Sequence, residues 1–329
     1  APVYTPTFMR LRLLLLPLLC LPPGCQGDSH GAENGEGGAP VIAMIPKGTT
    51  HAFWKSVEKG ARQAAGEQGV KLIWKGPLKE NDRAQQIQLV QQFLAQDVDG
   101  LLLAPLDHKA LRAPVAQAGD LGIPVVIFDS SLEGEVGKDF LCLVATDNFE
   151  AGRLGGAKLR QLMGGTGKVV LLRYQVGSAS TTRREEGFLE AVQEGGGVEI
   201  LVDNRWAGPT VGEAKTESLN LMTRLREADG VFCCCEPVAA GMLLALRQEG
   251  LAGKIKFVGF DASPLLIDGL ENGEIDALVV QDPQGMGALA VNSMVNHLEE
   301  KPVGHFMDTG AKVLTMQNLQ DPEIRRLLE

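Results

Sequence analysis

The chain has 329 residues, 44% of them hydrophobic and 22% charged, with 41 acidic against 31 basic side chains and a formal net charge of −10. That length supports two domains of ordinary size, each with a core of its own. The acidic, evenly mixed charge offers no basic patch or stripe of the kind that phosphate backbones require, which excludes nucleic acid as a partner.

In chain order, Met9 is read as the true start. It opens a basic stretch, MRLR (9–12), followed by the apolar LLLLPLLCL (13–21). The run is shorter than the ~20 residues a bilayer span needs and has the pattern of a secretory signal. LPPGC (21–25) resembles the lipobox of bacterial lipoproteins, in which cleavage leaves Cys25 N-terminal and lipid-modified. Residues 1–25 are therefore expected to be a signal peptide with a lipobox, exporting the protein and anchoring it to a bacterial membrane. The Gly-rich, polar segment 26–39 is expected to be a flexible tether, with the folded part starting near Pro40. Of six cysteines, Cys20 and Cys25 fall in the leader. Cys142 and the run Cys233-Cys234-Cys235 have no C-x-x-C spacing, and neighbouring strand residues face opposite ways. No metal site is expected, and Cys233 and Cys234 read as small buried apolar side chains in a strand.

From Pro40 onward, aliphatic runs predict strands over 41–46, 70–74, 100–104, 125–128, 141–145, 168–172, 198–202, 230–235, 256–260 and 277–281. Segments of helical period predict helices over 52–68, 83–96, 109–121, 150–163, 183–194, 211–227, 238–249 and 285–300. Parallel strands need crossover helices, so this alternation predicts α/β architecture with doubly wound sheets, and ten strands suit two sheets better than one. In such sheets ligands sit at the carboxyl ends of strands. The polar stretches following the strands are 47–54, 129–130, 146–148, 178–184, 235–236, 261–263 and 281–283, and they contain no nucleophile–base set. GGTGK (164–168) lacks the first glycine and the Ser/Thr of a phosphate loop and precedes a strand, so it reads as a tight turn. H-E-x-x-H and G-x-S-x-G do not occur, nor does G-x-G-x-x-G after the first strand, and the chain is not expected to be an enzyme.

Five motifs, FWKSVEKG (53–60), GIPVVIFD (122–129), TDN (146–148), REEGF (184–188) and VGFD (258–261), occur in an informative order and spacing. Together they resemble the type 1 periplasmic sugar-binding proteins of the ribose-binding family, the solute receptors of ABC importers, over nearly all of residues 40–329. The resemblance implies two Rossmann-like domains joined by a three-strand hinge near Ala145, Gln281 and Asp308. The N-terminal domain is expected over 40–145 and 282–308, the C-terminal domain over 146–281 and 309–329. It further implies a monomer without cofactor that closes on a monosaccharide or related polyol and is recognised by a membrane permease. A receptor for a membrane sensor kinase would share every pocket feature. A sugar-responsive transcriptional regulator shares the fold but needs a helix-turn-helix where this chain has an export signal.

A sugar presents hydroxyls around its rim and flat C–H faces above and below, which calls for bidentate polar groups and aromatic plates. The resemblance places Phe53 and Trp54 as the rings packed on the sugar, and Asp129 and Asp261 as carboxylates accepting its hydroxyls. For Asp261, helix capping is the competing use. Arg184 takes the ligand arginine's place, with Arg183 turned to solvent about 100° round the helix, and Gln281 the place of the hinge glutamine. Trp206 falls in a loop where the family sometimes supplies another ring. Three positions depart from the family's habit: His51 and Cys235 stand where Asn is common, and Ser130 where Arg is common.

Overall fold

The computed structural model describes residues 38–328; the predicted signal peptide, Cys25 and most of the tether lie outside the described residues. The first half alternates β1 (Val41–Ile45), α1 (Ala52–Gln68), β2 (Lys71–Trp74), α2 (Arg83–Leu94), β3 (Gly100–Leu103), α3 (Arg112–Asp120), β4 (Val125–Phe128) and β5 (Cys142–Ala145). The second begins with α4 (Asn148–Leu162), β6 (Gly167–Arg173), α5 (Ala179–Gln193), β7 (Val198–Trp206), α6 (Val211–Asn220) and α7 (Met222–Leu225). It continues with β8 (Gly230–Cys233), α8 (Glu236–Gln248), β9 (Lys256–Phe260), α9 (Pro264–Glu271) and β10 (Ala277–Gln281). The chain finishes with α10 (Pro283–Leu298), β11 (Phe306–Asp308), β12 (Ala311–Leu314) and α11 (Pro322–Leu328).

These strands form two six-stranded sheets, ordered β2-β1-β3-β4-β5-β11 and β7-β6-β8-β9-β10-β12. The order is the same winding used twice. All pairs are parallel except β10–β12. Helices cover both faces, so the inner strands are apolar at every position instead of alternating; β3 and β4 are buried throughout. In the first sheet, one face packs Trp54, Val57, Met286 and Met294, and the other Leu89, Phe93 and Leu111. Each fully buried side chain of this size contributes roughly 1.5–3 kcal/mol.

The chain passes between sheets after β5, after β10 and after β11. α4, following β5, packs on α5 of the second sheet, and α10, following β10, packs on α1 of the first. Glycines set both approaches: a methyl at Gly60 would land on the Gln284 carbonyl, and one at Gly187 on the Phe149 carbonyl. The second approach matters for the site, because α5 carries Arg184.

Several elements differ from the sequence expectation for local reasons. β11 and β12 are three and four residues long, β11 largely exposed and β12 of mixed burial, too short and mixed to show a period. α9 and α11 each open on a proline, which is tolerated in the first turn, and neither has the length of a clear amphipathic stretch. The segment 211–227 is two helices. β8 stops at Cys233, so Cys235 becomes the extended N-cap residue of α8. α5 starts at Ala179, which puts Arg184 on its second turn instead of at its start.

Candidate functional site

The carboxyl ends of both sheets face each other across a cleft. Its walls are Lys47, His51, Phe53, Trp54, Glu80 and Asp129 from the first sheet's side and Tyr174, Ser180, Thr181, Arg184, Cys235, Glu236, Pro237, Asp261 and Gln281 from the second's. The space between these walls is about 30 Å³, room for about two waters and well short of a sugar ring.

Asp129 and Asp261 are the residues that follow β4 and β9, equivalent strands of the two sheets, and both hold left-handed backbone, at φ 60° and 66°. Aspartate tolerates that region better than most side chains. Asp129 pairs with the Lys47 ammonium at 2.8 Å. Asp261 accepts from Gln281 Nε2 at 2.6 Å and from the Glu236 backbone N–H at 3.1 Å. It therefore caps α8 across the sheet, whereas the N-cap of its own following helix is Ser263.

Arg184 is 3% exposed. Nε donates to Asn148 Oδ1 at 2.7 Å, Nη1 to the Cys234 carbonyl at 3.2 Å and Nη2 to Gln281 Oε1 at 3.0 Å, while the guanidinium lies 4.0 Å from the centre of the Phe260 ring. Gln281 Oε1 also accepts from Thr146 Oγ1 at 2.9 Å. Gln281, the last residue of β10, thus ties Arg184, Asp261 and the crossing after β5 together. Arg183 instead pairs with Glu186 at 2.5 Å and covers the Phe149 ring at 4.5 Å, with half its side chain in water.

Phe53 and Trp54 meet edge to face, with ring centres 4.9 Å apart. The Trp54 indole donates to Glu80 Oε1 at 2.6 Å. His51 Nδ1 lies 2.7 Å from the same oxygen, and Tyr174 Oη donates to Glu80 Oε2 at 3.0 Å. Glu80 is thus the meeting point of two rings, an imidazole and both sides of the cleft.

Two of the expected site residues, Ser130 and Trp206, lie outside the walls of this cavity. Ser130 lies under the cleft wall, fully buried, where its Oγ accepts the Ser180 backbone N–H at 3.1 Å. It is small enough to let the two sides touch, and it does not line the cavity. Trp206 ends β7, the edge strand, and is 48% exposed. Continued pairing with β6 as far as Arg173–Trp206 keeps this segment on the sheet's edge instead of looping into the cleft.

Sequence reasoning passed over Lys47, Glu80, Tyr174, Ser180, Thr181, Glu236 and Pro237. Lys47 and Glu236 sit in strand-end stretches that were legible as ligand-facing. Ser180 and Thr181 lie in another such stretch, 178–184, whereas Tyr174, which directly follows β6, falls between the expected strand end and that stretch. Glu80 gave none: it lies six residues beyond β2, in a turn.

The profile of the periplasmic binding protein domain matches residues 42–302. The chain belongs to that family. A D-allose-binding periplasmic protein of Escherichia coli (strain K12) is 27% identical over 264 residues, 78% of this chain and 84% of the relative. The ribose import binding protein of Bacillus subtilis (strain 168) is 29% identical over 283 residues, 84% of this chain and 88% of that one. An ABC transporter solute binding protein from Agrobacterium vitis, solved with bound D-fucose, superposes with a TM-score of 0.84. It is 33% identical, and the match covers 88% of this chain and all of that one. The fold is that of a type 1 periplasmic binding protein.

This periplasmic binding protein is closed. Bonds crossing the cleft include Lys47 Nζ to Ser180 Oγ at 2.9 Å, Gln175 Nε2 to the Glu80 carbonyl at 2.6 Å and Arg83 Nη2 to the Val176 carbonyl at 3.0 Å. Glu236 Oε2 accepts from the Ala52 backbone N–H at 3.1 Å, so a carboxylate from the second side caps the first turn of α1. The N-cap residue of that helix, His51, makes no side-chain cap of its own. Burial raises the Glu236 and Asp261 carboxyls above their ordinary range, against the opposing pull of His51 and Arg184 respectively. Glu80 is lowered: burial works against its charge, but the His51 hydrogen bond and the fields of His51 and Lys47 prevail.

Proposed function

We propose that this chain is an exported receptor that binds a monosaccharide or related polyol in its cleft, closes around it and delivers it to an ABC import permease. The observation carrying this reading is the composition of the cleft wall. Two carboxylates and one glutamine stand at strand ends, with one buried arginine on the second turn of α5, beside the paired rings of Phe53 and Trp54. Charge-assisted hydrogen bonds of this type are worth about 1.5–3 kcal/mol each, and the rings suit the C–H faces of a sugar. Asp129, His51, Phe53 and Trp54 would act from one side, Arg184, Cys235 and Asp261 from the other, with Gln281 between them.

The moving bodies are residues 40–145 with 282–308, and 146–281 with 309–329. Because the closed cavity holds only about two waters' worth of space, the ligand enters an open form and exchanges partners with Lys47 and Arg184. A ligand touching both sides favours the closed state; one touching a single side shifts nothing. A lipid at Cys25 would hold the receptor, as a monomer, on the membrane.

The test is a thermal-shift and calorimetric screen of the purified protein against pentoses, hexoses and inositols. At 100 times Kd a ligand should stabilise the protein by about 2.7 kcal/mol. A screen in which no sugar or polyol shifts the unfolding temperature would defeat the reading.

A further inference from the structure

Glu80 is a buried carboxylate met by three side-chain donors, and it leaves its histidine with one nitrogen toward the cavity. Trp54 Nε1 at 2.6 Å and His51 Nδ1 at 2.7 Å share Oε1, and Tyr174 Oη at 3.0 Å takes Oε2. The indole and the phenol have only one polar hydrogen each, and both are committed to this carboxylate. The imidazole differs: with Nδ1 held by Glu80, Nε2 has no protein partner among the described residues, and His51 lines the cavity. A carboxylate on one ring nitrogen decides what the other can do.

The charges around the imidazole are one-sided. Glu80 faces it from the turn beyond β2, Glu236 from the N-terminus of α8 and Asp261 from the end of β9. The cations of the cleft are engaged elsewhere. Lys47 is held by Asp129 at 2.8 Å, and Arg184 by Asn148, Cys234 and Gln281. Tyr174 and Cys235 stay neutral, because burial pushes the phenol and the thiol up.

We propose that Glu80 is a positioning residue that holds His51 as an imidazolium, so that its Nε2–H is the donor offered to an oxygen of the bound ligand. The proposal rests on the sugar-binding reading for the identity of that oxygen. The charge state rests on the 2.7 Å contact with Glu80 together with the one-sided ring of carboxylates, and it agrees with the direction of titration. Burial opposes the charge on His51, but the Glu80 hydrogen bond and the fields of Glu80, Glu236 and Asp261 lift it above the ordinary value of 6.5.

The consequence is a pH-dependent affinity with a defined sign. Below the folded pKa of His51 the ring donates a charge-assisted bond. As pH rises through that pKa the proton leaves Nε2, since Nδ1–H stays on Glu80, and Nε2 can then only accept a neutral hydrogen bond from a ligand hydroxyl. The difference between the two classes of bond corresponds to a loss of about five- to tenfold in affinity.

Two measurements on the intact protein decide it. Nitrogen NMR of histidine-labelled protein without ligand should show His51 with both ring nitrogens protonated near neutral pH, titrating above the ordinary histidine value. In Glu80→Gln the midpoint should fall. A neutral His51 at neutral pH in the wild type would overturn the proposal, whether or not either variant folds. Calorimetry with D-allose, D-ribose and D-fucose, from about pH 5.5 to about pH 9, should show Kd rising about five- to tenfold across the same midpoint. The transition should move down in Glu80→Gln and vanish in His51→Gln. Binding that is flat with pH in the wild type overturns the ligand half of the proposal while sustaining the sugar-binding reading. If none of the three sugars binds, the same pH series is run with whichever pentose, hexose or inositol the wider screen finds; if that screen finds none, the ligand half falls together with that reading, and the NMR result alone decides the role of Glu80.

Discussion

Arg184 uses its guanidinium on Asn148, Cys234 and Gln281 while lying over Phe260, and its neighbour Arg183 meets only Glu186 and the Phe149 ring at the surface. Two identical side chains, one residue apart, therefore have different worth. Arg184→Ala removes several charge-assisted bonds of about 1.5–3 kcal/mol each and leaves Asp261 buried without its cation. It should weaken ligand binding at least ~100-fold. Arg183→Ala breaks an exposed ion pair and should change stability by no more than ~0.5 kcal/mol and affinity by less than about twofold. Calorimetric Kd values for both variants, with urea midpoints alongside, check the contrast. The separation of the two roles is legible in the sequence, because successive helix residues point about 100° apart. Which atoms Arg184 meets is not, because Asn148, Cys234 and Gln281 come from three other segments of the chain.

At the scale of elements, helix pairing governs where the site residues stand. α1 presents Gly60 to α10, where an added methyl would strike the Gln284 carbonyl, while Gly66 on the same helix faces open space. Gly60→Ala must push the helices apart and should destabilise by about 1–3 kcal/mol. Gly66→Ala has nothing to strike and should stabilise by about 0.5–1 kcal/mol through the lost backbone entropy of glycine in a helix. Chemical denaturation of the two single variants tests the sign of each. The helical period predicts α1 over its full length, yet the two glycines look alike in sequence. Only the crossing with α10, more than two hundred residues later, distinguishes them.

At the scale of the whole molecule, covering both sheets with helices and closing the cleft between them buries groups that must stay neutral. Burial raises the Cys142 thiol to about 11 and holds Cys233, Cys234 and Cys235 and the Tyr174 phenol above their ordinary values. In the unfolded chain these groups ionise at their ordinary values, while the folded protein keeps them protonated. Above about pH 9 the unfolded state therefore binds fewer protons, and stability must fall as pH rises. Each group adds at most about 1.4 kcal/mol per pH unit. The unfolding temperature should drop from about pH 9 upward, with a shallower drop in Cys142→Ala, measured by calorimetry under reducing conditions. A wild-type profile flat up to about pH 11 would argue that these thiols open to solvent without unfolding.

The sequence by itself determined the two doubly wound sheets, because a parallel strand buried on both faces must be apolar at every position and end where polar residues begin. VIAMI, GLLL and VVIF are such runs, and the ends of such runs located Asp129, Asp261 and Gln281. It did not show that the edge strand carrying Trp206 runs as far as that residue, or that Ser130 is buried where the two sides touch. Nor could it reveal Glu80, which joins Trp54, His51 and Tyr174 only because the turn beyond β2 meets the end of β6 across the cleft. Periodicity is local and is written in neighbouring residues. The meeting of two strand ends from different sheets depends on long-range closure, and that was decided only by the tertiary structure.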